Sequence, residues 1–192
     1  RKEKAKRNRE TRERKPEGRV NATQWPVKVQ KAIGEVWDKS QVGVCFVMGD
    51  FIYTAAHNIA GDVVLKFPGC PDTKFEKDKW DIVKDSDIAR TPKRAPVQPP
   101  SLKGQILDDS IEVREVVMQT SRNGEQAYSA STCVIEDGEI RGTYASQEGD
   151  CGAPIFDART HRVIAAHGYA EYVGGKCVEN GGHVLPLSFL GH

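Results

Sequence analysis

Two residues in this 192-residue chain have the chemistry to make and break an acyl bond. Cys151 stands in "SQEGDCGAPIF" (146–156), inside a tight turn just before a short apolar run. Gly149 and Gly152 flank the Asp150-Cys151 pair and permit backbone angles that other residues avoid, so successive N–H groups can converge beside the sulfur. That is what acyl transfer needs: a nucleophile, with backbone donors aimed at the oxyanion it creates. The candidate donors are the N–H groups of Gly149 and Cys151. A free thiol near neutral pH is only a few per cent thiolate, so it also needs a base. His57, in "YTAAHN", follows an apolar run at the mouth of a small-residue turn, 94 residues before Cys151. The plain alternatives are a bulge around an inert cysteine and a histidine that caps its turn. The other four cysteines (45, 70, 133 and 177) form no C-x-x-C pair and, with Cys151, are odd in number. They read as small core hydrophobes, with no disulfide framework, metal site or cofactor implied.

The elements that must position these residues read as strands. "VGVCFVMGDFIYTAA" (42–56) is two apolar runs joined at Gly49-Asp50, a hairpin signal. Short alternating or apolar runs follow at turn-length spacing as far as "KCVENGGHVLPL" (176–187), where Asn180-Gly181 reads as a hairpin turn. The spacing Val29, Ala32, Ile33, Val36, Trp37 predicts a short helix within 25–39. A dozen short strands predict an all-β body of two small barrels. The proline-rich "RTPKRAPVQPPS" (90–101) lies between them. The expected organisation is a disordered basic arm over 1–20, the helix and first barrel over 21–94, and a second barrel over 95–192.

Charge is unevenly distributed. The net charge is +1, but residues 1–20 carry ten Lys/Arg and four Glu (+6), leaving −5 for the rest. The arm has the charge for weak RNA contact, although such arms are more often simply solvated. No run approaches the roughly 18 apolar residues of a membrane span. The charged N-terminus is unlike a secretory signal, so the chain reads as cytosolic or as an internal piece of something longer.

"TAAH" and "GDCGAP", in that order, resemble the histidine and nucleophile motifs of chymotrypsin-like proteases, with cysteine in place of serine. The replacement resembles the processing proteases of positive-strand RNA viruses, the picornavirus main protease and its calicivirus relatives. The resemblance covers roughly residues 40–190 and rests on few, short motifs. It implies a two-barrel fold and a cysteine endopeptidase that cuts a viral polyprotein in the host cytoplasm. His57 would be the base, Cys151 the nucleophile, and an acid between them the third member. "DSDIAR" resembles the family's acid segment and nominates Asp87, with Asp85, Asp81 and Asp78 as competitors. His167 in "IAAHGYA" and Ser146, five residues before Cys151, match the pocket that accepts Gln or Glu before the scissile bond. Ala165 stands where the family prefers glycine. His161 and His183 have no such context and read as structural. Glu17-Gly18 in the arm is a bond such a pocket would accept. The rival readings are a protease-like fold kept as an RNA- or protein-binding module, and a redox sensor built on Cys151.

Overall fold

A computed structural model describes residues 19–21, 25–83, 85–107 and 111–190. Strands dominate. Seven of them form one sheet in the order β6-β5-β2-β3-β4-β8-β7, from β2 (Ile33–Trp37), β3 (Gln41–Met48), β4 (Phe51–Ala55), β5 (Val63–Lys66), β6 (Thr73–Phe75), β7 (Asp81–Val83) and β8 (Ile88–Pro92). The second sheet contains β9 (Glu112–Arg122), β10 (Glu125–Glu136), β11 (Glu139–Gly142), β12 (Pro154–Asp157), β13 (Val163–Val173) and β14 (Lys176–Val184). Because β9 pairs with both β10 and β12, these six strands close on themselves and leave no free edge between them. The all-β, two-barrel architecture expected from the strand spacing is present.

Each sheet has its own apolar interior, and the two are joined. Val36, Cys45, Val47, Ile52, Leu65 and Phe75 fill the first. The second cluster runs from Met118, Ile140 and Ile155 into Ile33, Phe46 and Tyr53 of the first sheet. Alternation along β3 explains this. Cys45 and Val47 point into their own barrel, while Val44 and Phe46 point towards the partner barrel. The barrel that bears Cys151 therefore rests on the one that bears His57 through packed side chains.

Three expectations need correction. The helix expected within 25–39 is only α1 (Val27–Lys31), and β2 takes over at Ile33. The 3.6-residue spacing of apolar positions was real, but four consecutive residues from Ile33 to Val36 are buried between β3 and β5. Tertiary burial on both faces outweighs local periodicity. The turn expected at Asn180-Gly181 lies inside β14 instead. The chain reverses at Gly174 and Gly175, whose φ values are +60° and +80°. Gly181 is there for close approach, since a Cβ on it would lie 2.3 Å from the Tyr169 ring. Arg19 and Val20, assigned to the arm, form with Asn21 a strand, β1, paired antiparallel to Ala127–Ser129 of β10. The rest of the arm, with its proposed RNA contact and Glu17-Gly18, lies outside the described residues. A short helix, α2 (Leu187–Leu190), returns the chain to the first barrel, where Arg90 donates to the Phe189 carbonyl at 2.9 Å.

Candidate active site

His57 and its acid are set by the first barrel. After β4 the chain makes a single 3₁₀ turn, Ala56–Asn58, which carries His57 at its centre. The N–H of Ala56 donates to the Asp87 carbonyl at 2.8 Å, extending the β4–β8 ladder by one step. Asp87 has φ +47°, a conformation that Asp tolerates better than most residues, and it turns its carboxylate back under the histidine. Oδ1 accepts the His57 backbone N–H at 2.9 Å and Oδ2 lies 2.6 Å from Nδ1. Among the four carboxylates that the sequence left open, Asp87 is the one against the imidazole; Asp78, Asp81 and Asp85 are exposed.

The electrostatics follow from the contacts. Hydrogen bonds to Asp87 and then to the Cys151 thiol outweigh partial burial and raise the His57 pKa to about 10. Burial pushes Asp87 upward, but its hydrogen bonds and charge interaction with His57 hold it below the ordinary carboxylate value. Cys45 and Cys133 are buried thiols away from His57. Burial raises Cys45 well above the usual thiol range and pushes Cys133 up to about 12, so both remain protonated.

The turn that carries Cys151 comes from the second barrel and is fastened to the first. Val44 N–H and Asn58 Nδ2 both donate to the Cys151 carbonyl at 2.8 Å. Asn58 is held in turn by Thr54 Oγ1 at 3.0 Å. Gly152 has φ +96°, and a Cβ there would fall 2.1 Å from the Val44 carbonyl oxygen, so only glycine fits. Gly152 N–H donates to the His167 carbonyl at 2.7 Å and His167 N–H returns to Ala153 at 2.9 Å, placing His167 directly behind the turn. The Cys151 thiol lies 3.6 Å from the Gly168 carbonyl. Within the turn, the N–H groups of Asp150, Gly152 and Ala153 are all engaged. Among the described residues no acceptor is bonded to the N–H of Gly149 or of Cys151, the two expected oxyanion donors.

The expected specificity residues form one buried network. His167 Nδ1 lies 2.7 Å from the Tyr144 hydroxyl. Burial keeps the Tyr144 phenol well above its ordinary pKa and hence protonated. Asn180 Nδ2 donates to the Tyr144 carbonyl at 2.5 Å, which orients its Oδ1 towards Ser146 Oγ at 2.6 Å. Ser146 and His167 are thus joined through Tyr144 and Asn180. Sequence reading missed Tyr144, Asn58 and Asn180. "GTYAS" held a signal for the first, because a tyrosine inside a strand-dense region needs a partner for its hydroxyl.

Comparison with known proteins rests on shape. No protein-family model matches the chain, and no curated protein is significantly similar in sequence. The human pathogenic astrovirus serine protease superposes with TM-score 0.66 at 20% identity, covering 83% of this chain and 92% of its own. Tobacco etch virus protease, in a catalytically inactive form with substrate, gives 0.68 at 12% identity over 85% and 82%. A Glu endopeptidase gives 0.69 at 10% identity over 91% and 94%. The chain has the chymotrypsin-like fold. In this chymotrypsin-like frame His57 and Asp87 stand on the first barrel and Cys151 on the second, facing one another across the seam between them. One of these neighbours is described as a serine protease, so likeness of fold leaves the nucleophile to be argued from Cys151 and its surroundings.

Proposed function

We propose that this protein is a cysteine endopeptidase that processes a viral polyprotein after Gln or Glu, with Cys151, His57 and Asp87 as its catalytic triad. One observation carries the reading. A single imidazole is hydrogen-bonded to a carboxylate and close enough to Cys151 for that side chain to raise its pKa, beside two backbone N–H groups with no acceptor among the described residues. His57 takes the thiol proton, and Cys151 Sγ attacks the scissile carbonyl carbon. The C=O electron pair moves onto oxygen, where the N–H groups of Gly149 and Cys151 receive it. Collapse expels the amine, which takes its proton from His57, and leaves a thioester. Water, deprotonated by His57, then releases the acid and restores the thiol. Asp87 holds the imidazole tautomer and stabilises the imidazolium.

The preference before the scissile bond follows from the Tyr144–His167 pair. A protonated Tyr144 hydroxyl directed at Nδ1 leaves the proton on Nε2, where it can donate to a side-chain carbonyl. A site built around that donor rejects side chains that cannot accept it. Two of the neighbours are viral proteases and a third is a Glu endopeptidase, which supports the viral setting and the Gln/Glu preference; a host-cytoplasmic location is part of the same proposal. Glu17-Gly18 is then a candidate self-cleavage bond. The test is a peptide library incubated with wild type and Cys151→Ala. Cleavage after Gln or Glu by wild type alone supports the reading; cleavage after Lys, Arg or large aromatics contradicts the pocket assignment.

A further inference from the structure

Between the first barrel and the tip of the β9–β10 hairpin lies a cavity of about 440 Å³ that none of His57, Asp87 and Cys151 lines. Its walls include Glu35 and Trp37 of β2, Lys66 of β5, Pro68, and Ser121 and Asn123 of the hairpin. Glu35 is the wall with a chemical requirement. It is 4% exposed, and a carboxylate so buried needs both hydrogen bonds and a counter-charge. The hydrogen bonds are present. Oε1 accepts the Trp37 Nε1–H at 2.8 Å, and Oε2 accepts the Ser121 hydroxyl and the Gly124 N–H, each at 2.7 Å. A carboxylate offers about four acceptor positions, so Oε1 keeps one open.

The counter-charge is missing: among the described residues no cation pairs with Glu35. The two nearest in the fold are committed elsewhere. Lys66 stands opposite Glu35 in the β2–β5 ladder, but its ammonium lies 4.2 Å over the Trp37 ring and 3.5 Å from Asp72. Arg122, next to Ser121, faces the other side of β9, where Nε and Nη2 donate to the buried Asp150 at 2.8 and 3.1 Å. The Glu35 charge is felt nearby: after burial, it is what raises the Cys45 thiol on β3. Trp37 and Pro68 add an apolar wall along which the stem of a lysine or arginine can lie while its charged end meets Glu35.

Gln41 joins this cavity to the Cys151 turn. Its Nε2 donates to the Ser121 carbonyl at 2.7 Å and approaches the Gly149 carbonyl at 3.4 Å, and its Oε1 accepts the Asn123 N–H at 3.2 Å. The His167 pocket flanks the turn on its other side, where His167 is bonded to Gly152 and Ala153. A peptide with its Gln or Glu at His167 therefore sends the residues after the scissile bond past Gly149 and Gln41 towards Glu35. We propose that the cavity binds a lysine or arginine side chain roughly two to four residues after the scissile bond, with Glu35 as its counter-ion. The inference rests on the protease reading for the position of that residue, and on Glu35 alone for its charge. The arm supplies a probe, because Arg19 is the second residue after Glu17-Gly18.

Two measurements keep the inference apart from the reading it rests on. The first is binding without chemistry: a labelled peptide of residues 18–24 is titrated against the full chain carrying Cys151→Ala. The same peptide is then tested with citrulline, an uncharged isostere, or glutamate in place of Arg19. Arginine should bind about 10-fold tighter than citrulline, and glutamate weakest. Adding Glu35→Gln to the protein should erase that order. Pro68→Lys, which offers a cation of its own and leaves the Glu35 hydrogen bonds alone, should erase it too and keeps the test readable if Glu35→Gln folds poorly. The second is hydrolysis by wild type of Gln-containing peptides with arginine or citrulline at each of the four positions after the bond. Arginine should raise kcat/KM about 10-fold at one of positions two to four, and Pro68→Lys should remove the gain. Arginine and citrulline peptides that bind and react alike, or a preference that survives both protein variants, overturn the proposal. A binding preference erased by the variants, with no peptide hydrolysed by wild type, supports the cation site and refutes the protease reading instead.

Discussion

The histidine side and the nucleophile side of this site are built by different means. On the first barrel, His57 and Asp87 sit at the ends of β4 and β8, which are already paired, and the backbone ladder simply continues into them. Their side chains are 48% and 29% exposed, so little of the barrel rests on them. On the second barrel, the Cys151 turn is bound by a buried carboxylate, two glycines at positive φ and contacts to both barrels. Chemistry and fold are therefore separable on the histidine side and bound together on the nucleophile side.

That contrast can be broken most forcefully at Gly152. Gly152→Ala should cost roughly 4 kcal/mol or more, because backbone atoms of Val44 and Ala55 would have to move and φ is unfavourable for any L side chain. Urea unfolding would show it as a lowered midpoint. Measured near pH 10, where the His57 imidazolium no longer contributes, Asp87→Asn should leave that midpoint near wild type, while at neutral pH it lowers kcat/KM about 100-fold, since the imidazole is less well held. Similar unfolding midpoints for these two variants would erase the distinction between the halves.

The pH dependence sharpens the histidine half. The His57 pKa is raised from 6.5 to about 10. Its imidazolium therefore contributes stability that is complete below about pH 6.5 and is lost as pH rises towards 10. Asp87, held low, contributes above its ordinary value and loses that contribution only as pH falls through its folded value. The gap in urea midpoint between wild type and His57→Gln should thus shrink from about pH 6 to about pH 10. A gap that widens over that range would contradict the assigned direction.

The smallest effect is expected behind the pocket. Tyr144→Phe leaves His167 Nδ1 without the hydroxyl at 2.7 Å. A lost partner for a buried polar atom costs about 1–3 kcal/mol, roughly a tenfold fall in preference for Gln over an apolar residue. Competing the two peptides in one reaction would measure it. An unchanged ratio would remove Tyr144 from the specificity account.

What was legible in the sequence was local. "TAAH" and "GDCGAP" mark the proposed base and nucleophile by a few adjacent residues, and alternating strands carry the all-β architecture, so both could be read along the chain. The resemblance nominated Asp87 over Asp85, Asp81 and Asp78, and the β4–β8 ladder is what sets it against the imidazole. Arg122 and Asn58 were illegible. Their partners lie 28 and 93 residues away, across strands or across barrels. Glycine misled where its role was close approach and not reversal, as at Gly181, while Gly174 and Gly175 made the turn. The stretch 33–37 kept a helical spacing because it buries both faces, and a fully buried strand has no period to show.

In the proposed mechanism Cys151 carries the acyl group. Rapid quench of wild type with a Gln-containing ester substrate, followed by mass spectrometry of the digested protein, tests it directly. A substrate-derived acyl mass is expected on the peptide containing Cys151, absent from Cys151→Ala and not formed on Cys45, Cys70, Cys133 or Cys177. Cys151→Ala should also lose roughly 10⁴-fold or more in kcat. Full turnover by Cys151→Ala, or the acyl mass on another residue, would contradict it.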